Sequence, residues 1–144
     1  MTLAHAFLPA MVQRGRGGMI VVASTAGMQP IPYESVYAAS KAFALSFTEA
    51  LHVELRDTGV RVLAVNPGPV PTEWQAVAGH AEGEGGLPVG EVDAAQVVEE
   101  SLAAYDAGHR SVIPGRAMRM IMRSGALAPK AVKLRVTERL YRPD

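Results

Sequence analysis

Two short, mainly apolar runs lie far apart along the chain. They are Met19–Ala23 and Val60–Val65, and both are rich in β-branched residues. Apolar runs of this length are typical of buried strands, and the continuous run Met19–Ala23 predicts a strand that is buried on both faces, as in a parallel sheet. The pattern therefore predicts two buried strands, and Ser111–Ile113 is predicted to be a third short strand.

Between and around these strands, apolar residues recur at helical spacing or the composition favours a helix. The segments are Leu3–Arg14, Ser35–Asp57, Asp93–Ala107 and Met118–Tyr141. Ser35 and Asp93 are residue types that cap helix starts, and Pro129 interrupts the last segment because it lacks a backbone donor. We predict a helix in each segment.

The predicted helices and strands alternate along the chain, which is typical of an α/β fold with parallel strands joined by right-handed crossovers. We therefore predict an α/β fold with a parallel sheet and flanking helices over residues 1–115, followed by a basic amphipathic helical tail over residues 116–144. Thr72–Gly90 is glycine-rich, acidic and aperiodic, and we interpret it as a mobile segment or a lid. Trp74 at its start either lines a substrate pocket or covers apolar surface.

The composition excludes several classes of site. Cysteine is absent, so the chain has no disulfides and no thiolate metal site, and the four histidines share no ligand spacing with each other or with a carboxylate cluster: His5, His52, His80 and His109. We predict no metal site. No apolar run approaches the ~20 residues of a membrane span, and the first residues lack the features of a signal peptide, so we expect a cytoplasmic protein.

The 14 basic and 14 acidic residues balance, but they are unevenly distributed. No lysine or arginine occurs between Arg61 and Arg110, whereas the segment from Arg116 to the end is basic. We interpret this as a solvated acidic region beside a basic tail that folds back on it. A charged partner is the alternative, and weak association of the tail with an anionic membrane surface ranks below a core or subunit contact.

The chemistry is concentrated in the stretch from Ser24 to Lys41, which reads STAGMQPIPYESVYAASK. Ser24 directly follows a predicted strand, and Tyr37 and Lys41 are four residues apart, so they project from one helix face. A free tyrosine has a pKa near ~10, and a nearby ammonium lowers it toward values useful for proton transfer at neutral pH. Ligands of α/β sheets bind at the carboxyl ends of the strands, where Ser24 can orient a substrate oxygen toward Tyr37.

The sequences of three segments resemble those of the short-chain dehydrogenase/reductase family. They are STAG at Ser24, YAASKA at Tyr37, and NPGPVPT after the second predicted strand. The resemblance extends from the first helix to the last strand and implies an NAD(P)-dependent oxidoreductase that interconverts an alcohol and a carbonyl. It implies that Tyr37 is the acid/base, that Lys41 lowers its pKa, and that Ser24 orients the substrate carbonyl.

The resemblance also implies a set of contacts to the nicotinamide end of the cofactor. Tyr37 and Lys41 lie at the nicotinamide ribose, Pro67 and Gly68 lie against the ring, and the Val70 backbone and the Thr72 hydroxyl bind the carboxamide. Gly68 fits this reading because glycine lets a backbone approach a flat ligand closely. Pro67 and Gly68 as a plain strand terminator are the alternative.

Several family motifs are absent from residues 1–144. No strand is followed by the Thr-Gly-x-x-x-Gly-x-Gly turn that binds the pyrophosphate, and Gly15, Gly17 and Gly18 precede a strand rather than a helix. The Asn-Asn-Ala-Gly segment and the catalytic asparagine are also missing. The resemblance therefore implies a partial Rossmann-type doubly wound parallel sheet, formed by the last three strands of the family fold. It also implies an incomplete chain with little activity of its own, and the choice between NAD and NADP is not encoded in it.

This reading carries structural expectations. The Met19–Ala23 strand loses a neighbour on one side, which leaves an apolar edge open to association. We expect the chain alone to self-associate, to aggregate or to need a missing amino-terminal half, and to bind NAD(P)H weakly. An alternative function is a non-catalytic fragment that pairs with an intact relative through its first two helices. The expected substrate is a small alcohol or carbonyl compound that the sequence does not identify, and nothing indicates a nucleic-acid partner.

Overall fold

The computed structural model describes residues 1–71 and 92–143. The predicted lid, Thr72–Gly90, therefore lies outside the described residues, as do Thr72 and Trp74. The elements, in chain order, are α1 (Thr2–Gln13), β1 (Gly17–Val22), a 3-10 turn (Thr25–Met28), α2 (Ser35–Leu55), β2 (Val60–Val65), α3 (Ala94–Asp106), β3 (Ser111–Val112), α4 (Arg116–Ala126) and α5 (Lys130–Tyr141).

The three strands form one parallel sheet in the order β1-β2-β3. Met19 of β1 pairs with Val62 of β2, and Ala64 of β2 pairs with Ser111 of β3. The sheet and its flanking helices confirm the predicted α/β fold. The strand predicted over Met19–Ala23 begins earlier, at Gly17, because the glycines before it already pair with β2.

Helices cover the two faces of the sheet. On one face, α1 and α2 pack over β1 and β2 around a cluster that contains Leu8 and Val62, with Phe47 against it. On the other face, α3 packs over β2 and β3, where Leu63 and Ala104 are buried. This arrangement leaves β2 as the central strand, in which every residue except Arg61 is buried.

The expectation that β1 is buried on both faces is wrong for the described part of the chain. Val22 is 61% exposed and Ile20 is 39% exposed. They pair in register with Val65 and Leu63 on the face that α3 covers, but α3 lies mainly over β2 and β3. Within the described residues β1 pairs only with β2, so it forms an edge of the sheet, as expected from the sequence.

The helix ends follow the predicted caps in one case and not in another. The Asp93 side chain accepts a hydrogen bond of 2.7 Å from Gln96 N and caps α3, as predicted. Ser35, in contrast, is the first residue of α2, and the cap position belongs to Glu34 without a side-chain capping bond. Tyr33 before it has a left-handed backbone (φ 68°), which is uncommon for an aromatic residue, and this turn shifts the helix start.

The tail forms two helices that meet at Pro129, as predicted, although α4 already begins at Arg116. An ion pair of 2.7 Å joins Arg119 of α4 to Glu100 of α3. The same carboxylate oxygen accepts from Gly115 N at 3.2 Å. The start of the tail is therefore anchored to the body of the domain. The division of the chain into residues 1–115 and a tail of residues 116–144 stays a prediction.

Candidate active site

The parallel pairing of β1 and β2 brings Ser24 to the loop that begins at Pro67. Beyond the strand ends, Ala23 N donates to Val65 O at 2.8 Å and Thr25 N donates to Pro67 O at 3.0 Å. The Thr25 hydroxyl lies 3.2 Å from the same carbonyl. Sequence positions 43 residues apart thus meet at the carboxyl edge of the sheet.

The Ser24 side chain has a local structural role as well as a position at this edge. Its Oγ accepts a hydrogen bond of 3.1 Å from Ala26 N and so caps the 3-10 turn. The hydroxyl lies 3.5 Å from Pro67 O, at the outer limit of a hydrogen bond. This long contact holds the hydroxyl only weakly, so its hydrogen can turn to a substrate oxygen.

Gly27 sets the distance between the Ser24 turn and α2. A Cβ atom on Gly27 would lie 2.6 Å from the carbonyl carbon of Lys41 and 2.7 Å from Ala42 N. Both are backbone atoms, which cannot rotate away as the end of a side chain can. The sequence identified Gly27 only as a loop breaker. The close approach makes it a residue that positions Ser24 against the helix of Tyr37 and Lys41.

Lys41 joins α2 to β1. Its Nζ donates to Val22 O at 3.1 Å and lies 5.7 Å from the centroid of the Tyr37 ring. Burial lowers the pKa of Lys41 below its ordinary value, because desolvation disfavours the ammonium. The predicted pair therefore shares one helix face, and the amine lies two residues from Ser24 along the strand.

Tyr37 is linked to the Ser24 turn through packing. It contacts a buried cluster of Ala26, Ile31 and Ala38, and Ala26 belongs to the 3-10 turn that Ser24 caps. Tyr141 of α5 packs against the same cluster. Sequence reasoning missed Tyr141. The spacing of Leu134, Thr137 and Tyr141 on one face of α5 was the available signal.

The loop after β2 is packed more tightly than a plain strand end. A Cβ atom on Gly68 would lie 2.7 Å from Cε of Met118, which is 2% exposed on α4. Gly68 therefore makes room for a side chain of the tail, a contact that the sequence did not indicate. Val70 is half-buried, and Thr72 lies outside the described residues.

Asn66 directly follows β2 in a buried position, with 1% of its surface exposed. Its backbone N–H donates to Val112 O at 2.8 Å, and its side-chain Nδ2 is 3.4 Å from the same oxygen. Its Oδ1 has no hydrogen-bond partner among the residues that the structure describes.

Within residues 1–71 and 92–143, no group of three His, Asp or Glu side chains is arranged to bind a metal ion. None of the described helices is long and apolar enough to cross a membrane.

A sequence profile of the short chain dehydrogenase family matches residues 1–83, more than half of the chain. The chain belongs to the short-chain dehydrogenase family. A curated relative in this family, Sulfoacetaldehyde reductase 2 of Chromohalobacter salexigens, is 46% identical over 76 residues, which cover 52% of this chain and 30% of the relative.

Solved structures of short-chain dehydrogenases share the fold. The short chain dehydrogenase of Burkholderia cenocepacia J2315, solved with NADP, is 31% identical with a TM-score of 0.71, over 94% of this chain and 53% of that one. The enzyme of Sphingobium yanoikuyae, solved with NADPH, is 32% identical with a TM-score of 0.72, over 86% and 48% of the two chains. This chain thus spans about half the length of these structures and a third or less of that curated relative.

Proposed function

We propose that this chain carries the proton-transfer part of an NAD(P)-dependent oxidoreductase that interconverts an alcohol and a carbonyl. The observation that supports it most directly is the position of Lys41. Its amine contacts Val22 O at the end of β1 and lies 5.7 Å from the centre of the Tyr37 ring. The residues of the three predicted roles, Ser24, Tyr37 and Lys41, therefore belong to one packed unit at the carboxyl edge of the sheet.

In this proposal, Tyr37 moves the proton on the substrate oxygen. In the oxidation direction the Tyr37 phenolate accepts the hydroxyl proton of the alcohol, and in the reduction direction the phenol returns a proton to the forming alkoxide. The Lys41 ammonium favours the phenolate electrostatically, since opposite charges within several ångströms stabilise each other. The Ser24 hydroxyl donates to the substrate oxygen, whose negative charge grows in the transition state of reduction.

The residues at the nicotinamide end suit such a cofactor in their chemistry. An ammonium has three N–H donors, and the contact of Lys41 with Val22 uses one, so others can bind ribose hydroxyls together with Tyr37. Pro67 and Gly68 would lie against the nicotinamide ring, and the Val70 backbone and the Thr72 hydroxyl would bind the carboxamide. When bound, a nicotinamide dinucleotide supplies or accepts the hydride. Residues 1–144 contain no glycine-rich turn for the pyrophosphate, so we expect weak binding of NADH or NADPH by this chain alone.

The chemistry of the candidate site and the name of one relative support the proposed substrate class. A tyrosine acid with a serine donor suits a small alcohol, aldehyde or ketone, and a curated relative is named as a reductase of an aldehyde, sulfoacetaldehyde. The described residues do not favour one carbonyl compound. We therefore propose the reaction type and leave the choice between NAD and NADP to measurement.

The test uses the protein expressed from the full reading frame that contains residues 1–144. Consumption of NADH and NADPH is followed by absorbance with a panel of aldehydes and ketones, in wild type and in Ser24→Ala. We expect turnover with at least one carbonyl, and a loss of about 100-fold in kcat in Ser24→Ala, as for removal of an oxyanion donor. Ser46→Ala, at an exposed position of α2, is the matched control. Equal activity in all three proteins would contradict the proposed role of Ser24.

A second candidate function, pairing with another short-chain dehydrogenase or with a second copy, is favoured by an apolar surface on α1 and α2. Leu3 and Phe7 of α1 are 68% and 54% exposed, and Phe43 of α2 is 53% exposed and stacks on Phe47 with ring centroids 5.7 Å apart. Exposed large apolar side chains are typical of interfaces. The open edge of β1 is a second surface through which copies could associate.

Light scattering after gel filtration tests this candidate on the 144-residue chain. We expect a mass above that of a monomer. Phe43→Asp should lower that mass if α1 and α2 form the interface, and Val22→Lys should lower it if the β1 edge does. Val98→Asp, at a residue of α3 that is equally exposed, is the control and should leave the mass unchanged. A monomeric wild-type peak with a cooperative thermal transition would refute self-association.

A further inference from the structure

The last helix packs over the loop between Ser24 and Tyr37. Thr137 of α5 is 2% exposed, and its hydroxyl lies 3.1 Å from Pro30 O and 2.8 Å from Lys133 O, of which it can donate to one at a time. Leu134, one turn earlier, borders a groove of about 520 Å³ formed with that loop and α2. The contact therefore joins the carboxyl-terminal helix to the segment that carries the candidate active site.

Tyr141 lies on the same face of α5, one turn after Thr137, and it is half-buried. It packs against the cluster of Ala26, Ile31 and Ala38 that also contacts Tyr37. Its pKa is raised, first by burial and then by the negative charges that Glu34 and Tyr37 carry when ionised. The phenol of Tyr141 is therefore within electrostatic range of Tyr37 and shares its packing surface.

The groove is apolar, and the described residues that line it do not include Tyr37 or Tyr141. Ile31 and Ala38 belong both to the groove and to the cluster on which the tyrosines pack, and Leu134 closes the groove from α5. A groove of this volume is in the range of small-molecule sites. A substrate whose carbonyl lies at Tyr37 could place an apolar substituent beside these residues.

We propose that Tyr141 is a specificity-determining residue of the site, which limits the size of the apolar substituent that a carbonyl substrate carries next to Tyr37. The inference rests on the proposed function of Tyr37 as the acid/base. It assigns the substrate class more narrowly, to carbonyl compounds with an apolar group. It also gives the carboxyl-terminal helix a function in substrate choice.

The experiment compares variants in the protein expressed from the full reading frame, with ketones of increasing alkyl size and a saturating nicotinamide cofactor. Tyr141→Ala should raise the ratio of kcat/KM for a bulky ketone to that for a small one by at least about tenfold, since even one methylene group in an apolar pocket changes discrimination by that order. Tyr141→Phe keeps the ring and should keep the ratio of wild type. An unchanged ratio in Tyr141→Ala would overturn the proposal.

Two further variants separate this result from loss of structure and from failure of the proposed function. Leu127→Ala, at a 94% exposed residue between α4 and α5, should leave the ratio unchanged. A change of ratio in Leu127→Ala equal to that in Tyr141→Ala would show a general effect of the tail and would overturn the proposal. Tyr37→Phe should lower turnover of all ketones together, so a fully active Tyr37→Phe refutes the proposed function alone.

A direct titration tests, even without turnover of a ketone, the premise that Tyr141 and Tyr37 are neighbours. The four tyrosines are observed by NMR with isotope-labelled tyrosine and assigned with single Tyr→Phe variants. Tyr141 should ionise above the ordinary tyrosine range, and its pKa should fall in Tyr37→Phe because a neighbouring negative charge is lost. If Tyr37→Phe leaves the pKa of Tyr141 unchanged, the two side chains are not neighbours and the proposal is wrong.

Discussion

Replacement of Gly27 by alanine tests whether the site depends on close packing between the Ser24 turn and α2. The new Cβ would lie 2.6 Å from the carbonyl carbon of Lys41, and ordinary contact begins at 3.4 Å. The turn must therefore move away from the helix by about 1 Å, a misplacement that can cost on the order of 100-fold in rate. Overpacking of this kind also costs about 1–3 kcal/mol of stability.

The assay measures the free energy of unfolding in urea together with kcat for a reactive carbonyl substrate. Gly125→Ala is the matched control, because a Cβ there meets nothing within 4 Å. Gly125 lies inside α4, so alanine should stabilise the protein by about 0.5–1 kcal/mol. If Gly27→Ala is as stable and as active as Gly125→Ala, the turn does not need the close approach and the reasoning fails.

Three further predictions concern stability. Glu100→Gln should lower the free energy of unfolding by about 1 kcal/mol, because it weakens the 2.7 Å ion pair with Arg119. Asp57→Asn should change it little, because the Asp57 side chain in the pair with Arg56 is 91% exposed, and equal urea midpoints for the two variants would contradict this. Tyr33 has a left-handed backbone (φ 68°), which asparagine tolerates better than valine does. The Tyr33→Asn protein should therefore be about 1 kcal/mol more stable than the Tyr33→Val protein. Thermal melts in which Tyr33→Val is the more stable variant would refute the strain at this position. Burial lowers the pKa of Lys41 in the folded protein below its ordinary value of 10.5. The unfolded state therefore binds the Lys41 proton more tightly than the folded state does. The free energy of unfolding should rise with pH between the lowered pKa and 10.5. Lys41→Met should abolish that rise in urea midpoints, and an unchanged slope would show that Lys41 is not desolvated.

The strands and the Ser24–Lys41 stretch were predictable because their signals are local. The apolar run of β2 predicted its bounds, and the spacing of Tyr37 and Lys41 placed both on one face of a helix. The order β1-β2 then brings Ser24 and Pro67 together, since parallel neighbours end at the same edge. These parts depend on pattern and topology alone.

The contacts of the tail were not predictable, because they join residues that are distant in sequence. The packing of Met118 on Gly68 and that of Tyr141 beside Tyr37 both depend on how α4 and α5 cross the loops at the sheet edge. The exposed face of β1 differed from expectation for a similar reason. A continuous apolar run does not reveal which of its faces a distant helix covers, and α3 lies over β2 and β3 instead.

The central claim is that Tyr37 transfers the proton on the substrate oxygen. It is tested most directly by steady-state and single-turnover rates of Tyr37→Phe in the protein expressed from the full reading frame, beside Tyr105→Phe, whose phenol lies in the cluster on the far side of the sheet. We predict a fall in the rate of carbonyl reduction of about 100-fold to 10,000-fold for Tyr37→Phe, in the range of lost acid/base catalysis, and little change for Tyr105→Phe. A Tyr37→Phe protein that reduces the carbonyl as fast as Tyr105→Phe would contradict the account.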